Sequence, residues 1–441
     1  MPESRLSIDR PTFADATRVF AKIGLLSFGG PAGQIALMHR ILVDERKWLD
    51  EARFMHALNY CMLLPGPEAM QLATYAGWLL HGARGGLVAG LLFILPGAVV
   101  ITALSAAYLF AADVPLVEGL LFGLKAAVLA VVVEALLRVS RRALKDGRMV
   151  AVAIASFVAI AIFRVPFPVI VLAAGLIGAW IGAGQAKPGL SAPAEDIEMP
   201  EWTRPTAARF ATSLSVWGLL WFGPLAALYL ILGGQNVFAK EASFFSLMAA
   251  VTFGGAYAVL AWVAQQAVEV YGWLRPDEML TGLGLAETTP GPLILVLVFV
   301  GFLGGARQSG LDPLVGGLAG AAVTLWFTFV PCFLWIFVGA PYVETLRKVA
   351  WLSASLAAIT AAVVGIIANL ALWFGLHVLF GAVGDLALGP MHVPVPDLAT
   401  FDIRAAVIAL GAGVALLRFH ANMIATLAAA ALAGVALTAF S

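Results

Sequence analysis

The sequence predicts an all-α polytopic membrane protein of two homologous halves in inverted topology, each with re-entrant or broken helical hairpins beside transmembrane helices. Three observations predict it. Of 441 residues, 61% are apolar and 12% charged, against roughly 25% charged in soluble domains. Glycine and proline motifs recur at one fixed spacing, and basic residues flank opposite ends of equivalent segments. Such a composition excludes an ordinary cytosolic enzyme, a disordered chain and a secreted disulfide scaffold. The 26 basic and 26 acidic residues cancel, so no electrostatic grip on nucleic acid is expected. Cys61 and Cys332 lie in different apolar segments and form neither a CxxC pair nor a disulfide framework.

The elements follow from length and breakage. The polar run Met1–Pro11 has no apolar stretch of the kind a secretion signal needs. About 20 apolar residues cross a bilayer, and segments of that order occupy 86–111, 115–140, 166–184, 207–232, 312–339, 345–376 and 420–440. Shorter dense runs at 149–163 and 402–417 are also expected to span. A second group is short and interrupted by glycine and proline, at 12–28, 31–43, 52–64 and 68–82, then again at 240–253, 255–268, 277–289 and 292–305. A 13-residue helix reaches about 20 Å and does not cross, so these pairs read better as re-entrant hairpins than as kinked full spans. Broken backbone at membrane depth requires protein or a water-filled cavity around it. The chain divides into a repeat over 1–184, a polar linker over 185–206, an extra inverting helix over 207–235 and a second repeat over 236–441.

The duplication is explicit. Phe28-Gly29-Gly30 recurs as Phe253-Gly254-Gly255, Trp48-Leu49 as Trp273-Leu274, and Pro65-Gly66-Pro67 as Pro290-Gly291-Pro292, all at an offset of 225. Beyond a ten-residue insertion near Gln308–Gly317, Pro96 pairs with Pro331. Segment 115–140 ends at Arg138, Arg141, Arg142, Lys145 and Arg148, whereas its counterpart begins at Arg347 and Lys348. The positive-inside rule then sets the halves in opposite senses, with the N-terminus expected in the cytoplasm and Ser441 outside. Inverted repeats with broken helices point to a secondary transporter with a midplane site.

The ligand expected there is an anion. Helices that begin after Gly30, Pro67, Gly255 and Pro292 present orphan N–H groups and the positive end of the helix dipole. Glycine also lets backbone approach a ligand closely. Lys22 precedes the first tip, with Arg18 four residues earlier read as reaching the interface. Lys125 lies mid-segment, which suggests function unless Glu134 or a carbonyl partners it. Glu68, Gln71 and Tyr75 form one polar stripe after the PGP tip. For Glu68 three readings stay open: a protonated acid, a pair with Lys22 or Lys125, or a carrier of a coupling proton. Glu287, Thr288 and Thr289 are polar where the run should be apolar. Six scattered histidines show no metal-ligand spacing and no phosphate-binding loop occurs, so neither a metal site nor ATP-driven pumping is expected. Glycine-spaced faces at Gly86/Gly90 and Gly119/Gly123 suit packing within one chain or in a homodimer.

The run Lys22-Ile23-Gly24 through Phe28-Gly29-Gly30-Pro31-Ala32-Gly33-Gln34 resembles the first-half signature of the chromate ion transporter family. So do Pro65 through Ala73 with Tyr75 and Gly77, and Leu95-Pro96-Gly97. Phe253-Gly254-Gly255-Ala256-Tyr257 and Thr289-Pro290-Gly291-Pro292 resemble its second signature. The likeness covers nearly the whole chain in the long, two-domain form. It implies proton-motive-force-dependent efflux of chromate from the bacterial inner membrane, chromate resistance, and sulfate as a mimic. Carried over residue by residue, it points to Lys22, Gly29, Gly30, Pro31, Pro65, Gly66, Pro67, Glu68, Gln71, Gly254, Gly255, Tyr257, Pro290, Gly291 and Pro292, to which the residues themselves add Lys125 and Thr289. The alternatives are uptake of sulfate or a related oxyanion by cation symport, and a membrane enzyme such as a chromate reductase. The enzyme would need a redox-cofactor motif or a reactive dithiol, and the sequence carries neither, so no cofactor is expected.

Overall fold

The computed structural model describes residues 11–183, 202, 204–253, 255–342 and 350–439. Most of the linker, Gly254, the Arg347-Lys348 pair and Ser441 lie outside the described residues. The chain is an all-α polytopic membrane protein, and among the described residues five helices are long and apolar enough to cross a bilayer.

The first half opens with α1 (Phe13–Leu26), capped by the Thr12 hydroxyl, which accepts from the Asp15 amide at 3.2 Å. Its apolar stripe, Ala16, Val19, Phe20 and Ile23, is buried, and Gly24 seats the helix against the Leu92 backbone. A break at Ser27–Gly29 leads to α2 (Gly30–His39), which starts with Pro31 in its first turn. Proline at that position loses only an N–H that would be orphaned anyway. The Asp50 carboxylate caps α3 (Glu51–Cys61) by accepting from the Arg53 amide at 2.7 Å. The Pro65-Gly66-Pro67 tip then leads to α4 (Glu68–Ala111).

Although continuous in outline, α4 is two helices. His81 and Gly82 leave helical geometry, with φ +61° at Gly82. The chain reverses there, so 68–80 packs against 83–111 with Gly77 touching the Gly85 carbonyl. This is the short arm followed by a full span that the sequence predicts.

The second half repeats the order in α9 (Val237–Val251), α10 (Ala256–Gln265), α11 (Pro276–Glu287), α12 (Val296–Gln308) and α13 (Pro313–Gly339). The ten extra residues fall at the α12–α13 reversal, where Asp312 caps α13. Between the halves lies α8 (Ala207–Leu232), which buries only Trp221 and exposes Leu219, Leu230 and Ile231. An apolar helix exposed on most of its surface is a lipid-facing span.

The remaining helices form the scaffold: α5 (Pro115–Ala143), α6 (Gly147–Ala161), α7 (Phe167–Ala183), α14 (Ala350–Leu379), α15 (Ile403–Gly413) and α16 (Met423–Ala439). Small residues bring their backbones together. Gly123 meets the Ala430 carbonyl on α16, and Gly178 meets Ala354 and Ala358 on α14. Gly119 likewise packs on Val435, and Gly86 and Gly90 on Thr74, Phe333 and Phe337. Both glycine faces singled out in the sequence are thus occupied within the chain.

One element departs from the all-α expectation. Strands β1 (Val383–Leu388) and β2 (Met391–Pro396) pair antiparallel in a hairpin between α14 and α15. Arg164, in the α6–α7 turn, bonds Asp385 at 2.8 Å and ties the hairpin to the helices.

Candidate anion site at the crossed tips

The four broken tips meet in two crossed pairs. The Gly66 amide of the first PGP tip donates to the Thr252 carbonyl at 2.8 Å, and the Gly291 amide of the second donates to the Ser27 carbonyl at 2.8 Å. Ser27 and Thr252 are 225 apart, as are Gly66 and Gly291. Each half therefore completes the broken backbone of the other by the same bond, as a pseudo-two-fold requires. Buried polar backbone must be paired, and here the pairing crosses between halves.

The tips also pack reciprocally on the long helices. A side chain at Gly66 would meet Cys332 Sγ on α13 at 2.8 Å. At the equivalent place, the Pro290 carbonyl lies against Gly97 on α4, and a side chain at Gly97 would overlap it. Gly66 has φ +119° and Gly291 φ +92°, conformations that glycine adopts without a steric penalty.

A cavity of about 170 Å³ opens at this junction. Pro31 and Ala32 of α2, Gly66 and Glu68 of the first PGP tip, and Gly255, Ala256 and Tyr257 of α10 line it. Arg138 and Arg142 of α5 join the wall, beside apolar residues and Thr360 of α14. Neither α2 nor α10 has a side-chain cap, so their first amides remain available to a ligand. Two helix N-termini and two guanidinium groups on one cavity make an anion-binding arrangement. Arg138 pairs with Glu134. Arg142 is exposed and makes no ion pair among the described residues.

The structure distributes the residues predicted from sequence unevenly. Gly29 and Gly30 (φ +87° and +70°) make the turn into α2, with open space beside both. Glu68 is half-buried, and its Oε1 would lie 3.7 Å from a Cβ on Gly255, so it faces the opposing tip. Gln71 is fully buried and donates to the Pro65 carbonyl at 2.8 Å, which braces the tip between Pro65 and Pro67. The Tyr257 hydroxyl donates to Glu287. The Thr289 hydroxyl donates to the Ala286 carbonyl at 2.8 Å and so closes its own helix end. Pro292 precedes a short 3-10 turn, Leu293–Leu295, whose residues are all buried. Thr289, Pro290, Gly291 and Pro292 thus support the junction without lining the cavity.

Two basic residues stand elsewhere. Lys22 is exposed on α1 and does not line the cavity. Lys125 lies 3.6 Å from Asp277 at the start of α11, an ion pair between the halves. Arg138 and Arg142, by contrast, read in sequence only as an interfacial basic cluster. Their i, i+4 spacing, which puts them on one helix face with Ala135 and Val139 beside them in the cavity wall, is the signal that identifies them.

Comparison with known proteins agrees with this architecture. The family model described as "Chromate transporter" matches residues 14–179 and 240–435. A chromate transport protein of Pseudomonas aeruginosa is 32% identical over 79% of this chain and 77% of its own length. A probable chromate transport protein of Synechococcus elongatus is 28% identical over 88% and 86%. A chromate transport protein of Cupriavidus metallidurans is 26% identical over 81% of each. No solved structure matches.

Proposed function

The chain belongs to the chromate transporter family, and from that premise we propose that it is a secondary transporter that exports chromate across the bacterial inner membrane and confers chromate resistance. Sulfate, also a tetrahedral dianion, is its mimic. One observation carries the reading: the uncapped N-termini of α2 and α10 share a cavity with Arg138 and Arg142 where the tips of the two halves cross.

In this reading the repeats 1–184 and 236–441 move against each other about the crossed tips. The basic end of α5 faces the cytoplasm, and so does the N-terminus. Anion enters past Arg142, gives up part of its hydration to the amides of α2 and α10, and leaves on the opposite face when the tips rearrange. Glu68 stands across from Gly255 and sets the balance of charge in the cavity. A negative-inside potential helps a dianion outward. Each charge gains about 2.3 kcal/mol per 100 mV, so two gain about 4.6 kcal/mol.

The test is chromate and sulfate binding to purified protein, joined to chromate flux in proteoliposomes under imposed gradients. Saturable chromate binding that sulfate competes away, with flux in the export sense, is the expected result. Flux that runs only inward with a co-transported cation would establish the uptake reading instead.

A further inference from the structure

Glu241 is a fully buried acidic side chain that has no part in the anion site and no ion pair among the described residues. It sits one turn into α9, is 0% exposed, and neither carboxyl oxygen has a hydrogen-bond partner among the described residues. Its position in the first half is held by Ala16, so the tip architecture does not demand it.

The surroundings are shaped to receive a carboxyl group. Where α12 crosses α13, glycines leave a notch: Glu241 Oε1 lies 2.8 Å from where a Cβ on Gly304 would stand and 3.3 Å from one on Gly320. The Trp273 ring borders the same notch, its Cγ 3.0 Å from that Gly304 position. Thr324, one turn beyond Gly320 and packed on Gly301, is also fully buried. Trp273 Nε1 and Thr324 Oγ1 likewise have no partner among the described residues.

The arginines on the surrounding elements are committed elsewhere. Arg307 on α12 donates to both Glu278 oxygens, at 2.7 and 2.6 Å, and to the Trp273 carbonyl at 3.0 Å. Arg275 also pairs with Glu278, at 3.2 Å. Lys240, next to Glu241 on α9, is half-buried and forms no ion pair among the described residues. Tyr271 stacks on Trp273. The α13 residues bordering the notch, Gly316, Gly317, Gly320 and Thr324, carry no charge. An ionised carboxylate in apolar surroundings without a counter-charge is too costly to persist. In this conformation the group is therefore a neutral acid.

We propose that Glu241 carries the coupling proton of transport, an inference that rests on the transporter reading above. The carboxyl group holds its proton while buried in the notch and releases it to the cytoplasm when α9 moves and water reaches the group from that side; the carboxylate is reprotonated from the opposite face before it is buried again, so one proton moves inward per cycle. The lever is α9 itself. Glu241 stands near its first residue, and eleven residues on, about 16 Å along the axis, the Thr252 carbonyl holds Gly66 of the opposite half. Seating or releasing the proton thus bears on the tip that borders the anion cavity.

The test uses the full-length protein in proteoliposomes with chromate as the probe. Wild type is expected to show both chromate exchange at equal pH and net flux driven by a pH gradient. Glu241→Gln is expected to keep exchange within about twofold and to lose the pH-driven flux at least tenfold, with Glu241→Asp restoring it. Infrared spectra should show a buried protonated carboxyl band that Glu241→Gln lacks. Undiminished pH-driven flux in Glu241→Gln, loss of exchange together with net flux in folded protein, a sodium gradient replacing the pH gradient, or absence of the infrared difference each overturns the proposal. If Glu241→Gln does not fold, Glu241→Asp decides: a shifted pH midpoint of flux supports the proposal, and an unchanged one overturns it. No chromate movement by wild type would defeat the transporter reading instead, while the infrared difference would still decide where the proton sits.

Discussion

The Gln34 side-chain amide donates to the Gly291 carbonyl at 2.6 Å and reaches the Ser27 carbonyl at 3.3 Å, so one residue of α2 fastens a tip of each half. Its equivalent in the second half is Val259, and the clamp is therefore one-sided. Gln34→Ala removes the side-chain donor of the buried Gly291 carbonyl, while the Ser27 carbonyl keeps the Gly291 amide; an unsatisfied buried acceptor costs about 1–3 kcal/mol. Thermal unfolding in detergent should show the loss, and chromate flux should fall with it.

Space decides the outcome of glycine substitutions at the junction. Gly97→Ala drives a methyl group into the Pro290 carbonyl, a backbone clash that cannot rotate away. We expect loss of folded protein in the membrane. Gly29→Ala meets nothing within 4 Å and bears only the strain of φ +87°, about 1–2 kcal/mol. Expression levels of the two variants, measured side by side, check the contrast.

Arg142 forms no ion pair among the described residues and shares the cavity with Glu68 alone of the carboxylates lining it, whereas Arg138 is held by Glu134. Arg142→Gln is accordingly expected to raise the chromate Kd about tenfold, equivalent to about 1.4 kcal/mol. The effect of Arg138→Gln should be smaller. Calorimetric titration at low and high salt tests both, and the difference between variants should shrink as salt rises.

Lys125 is three-quarters buried but Asp277 is nearly half exposed, and the pair is 3.6 Å apart. Such a pair contributes at most about 1 kcal/mol. A double-mutant cycle with Lys125→Met and Asp277→Asn should return a coupling of that size in stability. Chromate affinity should be unchanged. An altered Kd in Lys125→Met alone would place Lys125 in contact with the ion.

At the outer end of α2, His39 lies 2.6 Å from Glu51 and 3.4 Å from Asp44. Its bond to Glu51 raises its pKa above the usual 6.5; slight burial opposes this, and the charges of Glu51 and Asp44 add to it. Because the folded value exceeds the unfolded one, the contribution is complete below pH 6.5 and disappears as pH rises through the raised value. Thermal stability of wild type relative to His39→Gln, followed from pH 6 to 9 (on the order of one pKa spread either side of the shifted group), should show an advantage that vanishes with increasing pH.

Much of the fold was legible because its breaks need particular residues. Positive φ at Gly29, Gly30, Gly66, Gly255 and Gly291 leaves a Gly/Pro imprint, and a duplication repeats that imprint at a fixed offset. The reach of long side chains was less legible. Arg138 and Arg142 follow the positive-inside pattern whether they meet lipid headgroups or line a cavity, so charge sorting alone does not separate the two. The β1–β2 hairpin was hidden by Pro394 and Pro396 in its second strand, which argue against strand unless it is an edge. Glu241 is not legible in the sequence, because an isolated acid in a helix normally faces water, and only the glycine notch shows otherwise.

The crossed bonds between Ser27 and Gly291 and between Gly66 and Thr252 make each repeat a template for the other. A gene fragment encoding one repeat would yield a polypeptide with two unsealed gaps in its main chain. Those gaps close only on the other repeat, so the crossed bonds, and not the covalent connection alone, hold the two sets of tips together.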